Sequence, residues 1–144
     1  MIGQFNIARA RWPLEDPRMK EFMDMVPRMN ALAARSRGYV WRLEDEGGPD
    51  APIFPGDPRM TFTLSVWQDV ESLYHFTWKT LHKRFRMRTA EWFEPQDQAY
   101  LAIWPIADGH RPNGVEAQAM LAKLRSEGPS QAVFGTEALV KEPA

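Results

Sequence analysis

The order in which two hydrophobic periods alternate constrains the fold of this chain more than any other feature. From Met60 to Trp67 the period is two, with Phe62, Leu64 and Val66 on one side and Thr61, Thr63, Ser65 and Trp67 on the other, as a strand between unlike environments requires. Phe5 to Trp12, Tyr39 to Leu43 and Tyr100 to Ile106 read as three more strands, the last nearly all apolar and so covered on both faces. Elsewhere the period lengthens to that of a helix. Asp16 and Pro17 supply an N-cap and a first-turn proline, and Phe22, Met25, Met29 and Leu32 then recur at helical spacing toward Ser36. Pro27 lies inside this helix and removes one backbone hydrogen bond, which predicts a kink or a break. Asp69 caps a second helix with the stripe Val70, Leu73, Tyr74, Thr77, Trp78, Leu81 and Phe85, running to Arg88 or on into Trp92 and Phe93. After a turn from Gly109 to Gly114, Val115 to Glu127 form a short third helix.

Strand, helix, strand, strand, helix, strand is the ferredoxin-like split βαβ order. The expected fold is therefore α+β, a four-stranded antiparallel sheet with both long helices on one face and an extra C-terminal helix. The main domain takes residues 1–112, and 113–144 form a helix and tail packed on it. A chain of 144 residues has room for one core. With no spare element large enough to cover the second sheet face, that face calls for another copy of the chain, and the expected assembly is a homodimer with two sheets closed on each other. Left bare, the face would be an aggregating apolar patch. The stretch from Asp45 to Arg59, rich in glycine, proline and acidic residues, reads as a long mobile loop.

Several function classes are disfavoured. Eighteen basic side chains against nineteen acidic ones leave a formal charge of -1, so no field draws in nucleic acid. Without cysteine there is no disulfide, thiolate nucleophile or cysteine-ligated metal. No apolar run approaches the roughly 20 residues of a membrane helix, and the first residues lack the pattern of a signal peptide, so no membrane partner and a cytoplasmic location are expected. Motifs of acyl-hydrolases, nucleotide-binding loops and zincins are missing. Asp45, Glu46, Asp50 and Asp57 lack the regular spacing of a calcium loop and read as solvated.

Six tryptophans and eight methionines exceed what a core of this size needs. Trp41, Trp67, Trp78 and Trp104 come from three strands and a helix, and they read either as core or as the walls of a pocket for a flat, mostly apolar ligand. His75 and His82 stand two turns apart at the border of the second helix's stripe, His82 flanked by Trp78 and Phe85. A histidine there can act as a general base, ligate an iron porphyrin, or satisfy a hydrogen bond at the helix–sheet seam. His110 reads as part of a turn. Arg86, one turn beyond His82, either belongs to a solvated basic face with Lys79, Lys83, Arg84 and Arg88 or holds a carboxylate or enolate oxygen. Asn6, Arg9 and Arg11 on a buried strand need polar partners.

The segments 4–9, 38–43 and 64–67, the helical phrase from Phe76 through His82 to Phe93, and the run from Trp104 to Pro112 resemble a bacterial family of unknown function in the dimeric α+β-barrel superfamily. The resemblance spans about residues 3–135 and implies the fold and the dimer. That superfamily includes antibiotic-biosynthesis monooxygenases, haem-degrading monooxygenases and small-molecule isomerases and cyclases. Its haem-degrading branch is similar in placing an asparagine on the first strand and a tryptophan and histidine on the second helix, here Asn6, Trp78 and His82, although the branch's own tryptophan–histidine spacing is longer. The cofactor-free branch implies deprotonation of a planar aromatic or polyketide-like substrate in a dry cleft, followed by oxygenation or rearrangement. On that reading His82 is the base, Asn6 or Arg86 polarises an oxygen, and Trp41, Trp67, Trp78, Trp104, His75 and Phe85 contact the ligand. Haem binding and a non-catalytic dimeric ligand-binding module are the alternatives.

Overall fold

The computed structural model describes residues 1–44, 56–80 and 82–139, with Phe85 described in its backbone only. The central strand β1 (Ile2–Arg9) pairs on one side with β3 (Met60–Trp67), placing Asn6 opposite Thr63 and Ile2 opposite Trp67. On its other side it pairs with β4 (Leu101–Pro105), where Asn6 faces Leu101. The strand β2 (Tyr39–Arg42) lies along the outer side of β3, with a register shift between Tyr39 and Trp41. Every pairing is antiparallel, and the sheet has the order β2-β3-β1-β4. The first strand begins three residues earlier than its pattern suggests, because Ile2 and Gly3 are buried by the sheet on both sides.

This register sorts the side chains. Ile2, Gln4 and Asn6 share a face with Trp67, Ser65, Thr63, Leu101 and Ile103, while Phe5, Ile7, Leu64, Val66, Ala102 and Trp104 point the other way. The first of these faces is covered by helices. Asp16 accepts the amide of Arg18 and caps a 3-10 turn (Pro17–Met19) that leads into α1 (Lys20–Ala34). α1 continues past Pro27 without the expected break. The carbonyl that Pro27 cannot engage belongs to Met23, and both residues are exposed, so the freed carbonyl is not buried without a partner. Asp69 caps α2 (Val70–Lys79) through the amide of Ser72 at 2.8 Å. Leu73 and Phe76 of α2 join Ile2, Trp67, Leu101, Ile103 and Leu139 in one core cluster. Burying each such side chain contributes roughly 1.5–3 kcal/mol.

The second helix is not the single rod that its stripe suggests. Thr80 adopts an extended backbone, with φ -121° and ψ -178°, and the chain resumes as α3 (His82–Arg86) and α4 (Thr89–Trp92). His75 and His82 therefore lie on different helices, and their seven-residue spacing no longer puts them on one face.

The second sheet face is not bare, contrary to the expectation that no element remained for it. α5 (Gly114–Glu127), capped by Asn113, lays Ala117, Leu121 and Leu124 against Phe5, Ile7, Leu64, Ala102 and Trp104. Beyond it Phe134 exchanges both backbone hydrogen bonds with Ile103, at 2.7 and 2.9 Å, and so covers part of the β4 edge. α5 leans on β4 and β1, leaving Trp41, Leu43, Met60 and Phe62 toward the β2 side only half-buried. Among the described residues no helix is long and apolar enough to cross a membrane. Most of the long acidic loop, including Asp45, Glu46 and Asp50, lies outside the described residues, whereas Asp57 binds Arg9 at 2.8 Å.

Candidate functional site

A ladder of rings climbs from the sheet to His82. Tyr39 meets Trp67 edge-on at 5.6 Å between centroids, Trp67 stacks on Phe76 at 5.3 Å, and Phe76 lies 4.6 Å from the imidazole of His82. The turn at Thr80 puts the imidazole there. Nδ1 of His82 sits 3.3 Å from the carbonyl oxygen of Thr77. A carbonyl only accepts, so this contact selects the tautomer with the proton on Nδ1 and leaves Nε2 as the basic nitrogen. Burial pushes the His82 pKa below the ordinary imidazole value. The Thr77 carbonyl opposes that shift, and the Arg86 charge adds to it. Near neutral pH the ring is uncharged, as a base must be.

Under this ladder the sheet carries polar side chains. The Trp67 indole donates to Ser65 Oγ at 3.0 Å, Ser65 donates to Gln4 Oε1 at 2.7 Å, and the Gln4 amide donates to Thr63 Oγ1 at 3.2 Å. Gln4 and Ser65 are buried, but Thr63, in the middle of β3 on the helix-covered face, is exposed. The helical roof is therefore incomplete above Thr63 and its half-buried neighbour across the ladder, Asn6. Among the described residues the Asn6 side chain takes no hydrogen-bond partner. Arg9 and Arg11 do find partners, Arg9 in Asp57 and Glu94 and Arg11 in the carbonyl of Ala90. Arg86, half-buried on α3, donates to the hydroxyl of Tyr100 at 2.9 Å, and Tyr100 directly precedes the Leu101 that faces Asn6.

The structure does not gather the four tryptophans. Trp67 and Trp78 are on the helix-covered side, whereas Trp104 points to the opposite face and donates to Glu116 at 2.9 Å. Trp41 joins Trp104's cluster and lies under the guanidinium of Arg111 at 5.7 Å. The Trp78 indole donates to the carbonyl of Leu139 and so fastens the C-terminal segment. His75 is exposed on α2. Phe85 lies on α3, and its side chain is outside the described residues. His110 bonds Glu116 at 2.6 Å on the far face, well separated from His82. Gln4, Thr77 and Tyr100 are further polar neighbours of these residues. Period-two parity with Asn6 marks Gln4 in the sequence, while Thr77 and Tyr100 carry no signal beyond their places in an apolar stripe and at a strand start.

Trp78 is bonded to Leu139, and two clefts lie away from Asn6, Trp78 and His82. One cleft, of about 480 Å³, runs along the outer side of α1 near Lys20 and Asp24, and the other, of about 270 Å³, lies between Gln96–Leu101 and Gly135–Glu137. The helix-covered side thus carries an oriented neutral imidazole in His82 and an amide in Asn6, and Arg86 of α3 forms a guanidinium–phenol pair with Tyr100. No curated protein matches the chain. The chain belongs to the family described as domain of unknown function DUF3291, which matches it over residues 1–144.

Proposed function

We propose that this protein is a small-molecule enzyme that abstracts a proton from a planar aromatic or polyketide-like ketone with His82 as general base. The observation that carries this reading is the His82 imidazole held with Nδ1 against the Thr77 carbonyl and kept neutral by burial. Nε2 takes the proton, and the C–H electron pair moves onto the substrate oxygen. Asn6 or Arg86 stabilises that oxygen by donating to it. The carbanion then reacts with dioxygen or rearranges, with no group beyond the protein's own side chains needed for the proton transfer.

The fold reading that accompanies it is a ferredoxin-like dimeric barrel of the monooxygenase-like superfamily. The sheet order β2-β3-β1-β4, which places β3 between β1 and β2, supports it, as does the half-buried strip of Trp41, Leu43, Met60 and Phe62.

The test is deuterium washout from anthrone, followed by NMR. Wild-type protein accelerates exchange at the acidic carbon by about a hundredfold or more over buffer, and His82→Gln returns it to the buffer rate with the fold retained. Exchange that is equally fast in His82→Gln removes His82 as the base.

A further inference from the structure

The ion pairs of this chain set Arg86 apart. Arg9 meets Asp57 and Glu94 at 2.8 and 2.7 Å, Arg18 meets Asp16 at 2.9 Å, and Arg88 meets Glu21 and Glu91 at 2.7 and 2.8 Å. Arg9 and Arg88 are half-buried like Arg86, and Arg18 is exposed, yet each has a carboxylate. Half-buried Arg86 has, among the described residues, only neutral partners: Tyr100 Oη at 2.9 Å and Thr89 Oγ1 at 3.5 Å. A guanidinium drawn partly out of water loses solvation that a hydroxyl restores less well than an anion does.

The two hydroxyls add direction. Thr89 donates its own proton back to the Arg86 carbonyl at 3.1 Å. Tyr100 accepts from Arg86, so its phenolic proton is available to donate outward. Guanidinium N–H and phenol O–H thus form a two-donor fork with one positive charge, the complement of a carboxylate with two oxygens and one negative charge. A phosphate dianion calls for a second cation, and the other cations of α3, Lys83 and Arg84, are exposed.

On the basis that His82 is the base, we propose that the substrate also bears a carboxylate, which Arg86 and Tyr100 hold one helical turn from the reacting carbon. Arg86 is then a substrate-binding residue, and stabilising the developing oxyanion falls to Asn6. Binding at the remote carboxylate fixes the ketone over Nε2, so that part of the orientation entropy is lost before the proton moves.

Fluorescence titration with 2-naphthoate, and with 2-naphthamide as its neutral isostere, tests this on the full chain. Wild type binds the acid at least about tenfold more tightly than the amide. Arg86→Gln abolishes the preference, Arg86→Lys retains part of it, and His82→Gln leaves it intact. Tyr100→Phe, which removes the outward donor and the hydroxyl that accepts from Arg86 while keeping the guanidinium, lowers affinity for the acid by about threefold and leaves the amide unchanged. This second variant decides the matter if Arg86→Gln does not fold. Equal affinity for acid and amide, no binding of either, or a preference that survives both substitutions overturns the proposal. An Arg86-dependent preference without anthrone exchange keeps the carboxylate site and removes the base, whereas exchange without the preference does the reverse.

Discussion

The hydroxyl of Thr80 accepts the backbone N–H of His82 at 3.2 Å while donating to the carbonyl of Phe76 at 2.6 Å. One side chain thereby closes α2 and caps the segment in which α3 starts at His82. The break turns the imidazole back onto Phe76 and toward the Thr77 carbonyl, a placement that an unbroken helix does not give.

Thr80→Val keeps the shape and removes the hydroxyl. The lost cap costs about 1 kcal/mol, which lowers the Tm by about 3 °C for a chain of this size. The amide of His82 should exchange with deuterium faster than in wild type, and anthrone exchange should slow without a change in the identity of the base. Hydrogen exchange at His82 that stays as slow as in wild type refutes the capping role.

The depressed pKa of His82 gives stability a definite dependence on pH. The folded chain binds this proton less readily than the unfolded chain, whose histidine titrates near 6.5. Stability is therefore complete above about pH 6.5 and is lost as pH falls from there through the folded value. In His82→Gln this part of the loss is absent. Urea midpoints measured between about pH 7.5 and 5 should fall more steeply for wild type than for the variant, and parallel curves would show that burial leaves the imidazole unperturbed.

The same residues show where the sequence is legible. Met60 and Trp67 bound β3 in the structure as its alternation predicts, because its two sides meet different surroundings. Asp16 and Asp69 announce their helices through side chains that accept backbone amides. The break at Thr80 is hidden, since a hydroxyl competing for backbone groups leaves the apolar stripe unchanged. The division of the tryptophans follows from parity within β4 and from the register shift in β2, and only the first of these can be counted from sequence. The seating of α5 rests on Ala117, Leu121 and Leu124, with Met120 partly buried beside them, too thin a stripe to mark a sheet-covering helix.

Gly38 joins α1 to β2 at φ +83°, and a Cβ built there would stand 2.0 Å from Ser72 Oγ and 2.3 Å from Ser72 Cβ. Gly38→Ala meets both a left-handed backbone, worth roughly 1–2 kcal/mol, and a collision with the first turn of α2. The expected destabilisation exceeds about 2 kcal/mol. Ser72→Ala leaves the nearer carbon in place and gives little relief, but Ser72→Gly removes both atoms. The double variant Gly38→Ala with Ser72→Gly should therefore be more stable than the sum of the single effects, a non-additivity read from chemical denaturation. Strict additivity would mean that the contact with Ser72 has no part in the cost.

The strip left by α5 tests the proposed barrel. Phe62 lies 6.1 Å from the fully buried ring of Phe5, so its inner side belongs to the core and its outer side faces away from α5. With Trp41, Leu43 and Met60 it forms a contiguous half-buried apolar surface on the β2–β3 half of the sheet. A second copy seated there buries this surface without displacing α5. Wild type should sediment at twice 16.6 kDa at micromolar concentration, and Phe62→Glu, which places a charge in the seam, should sediment at 16.6 kDa with its helix content retained. Wild-type protein that sediments at 16.6 kDa removes the barrel. The His82 site then has to operate within one chain, which the anthrone assay reads independently.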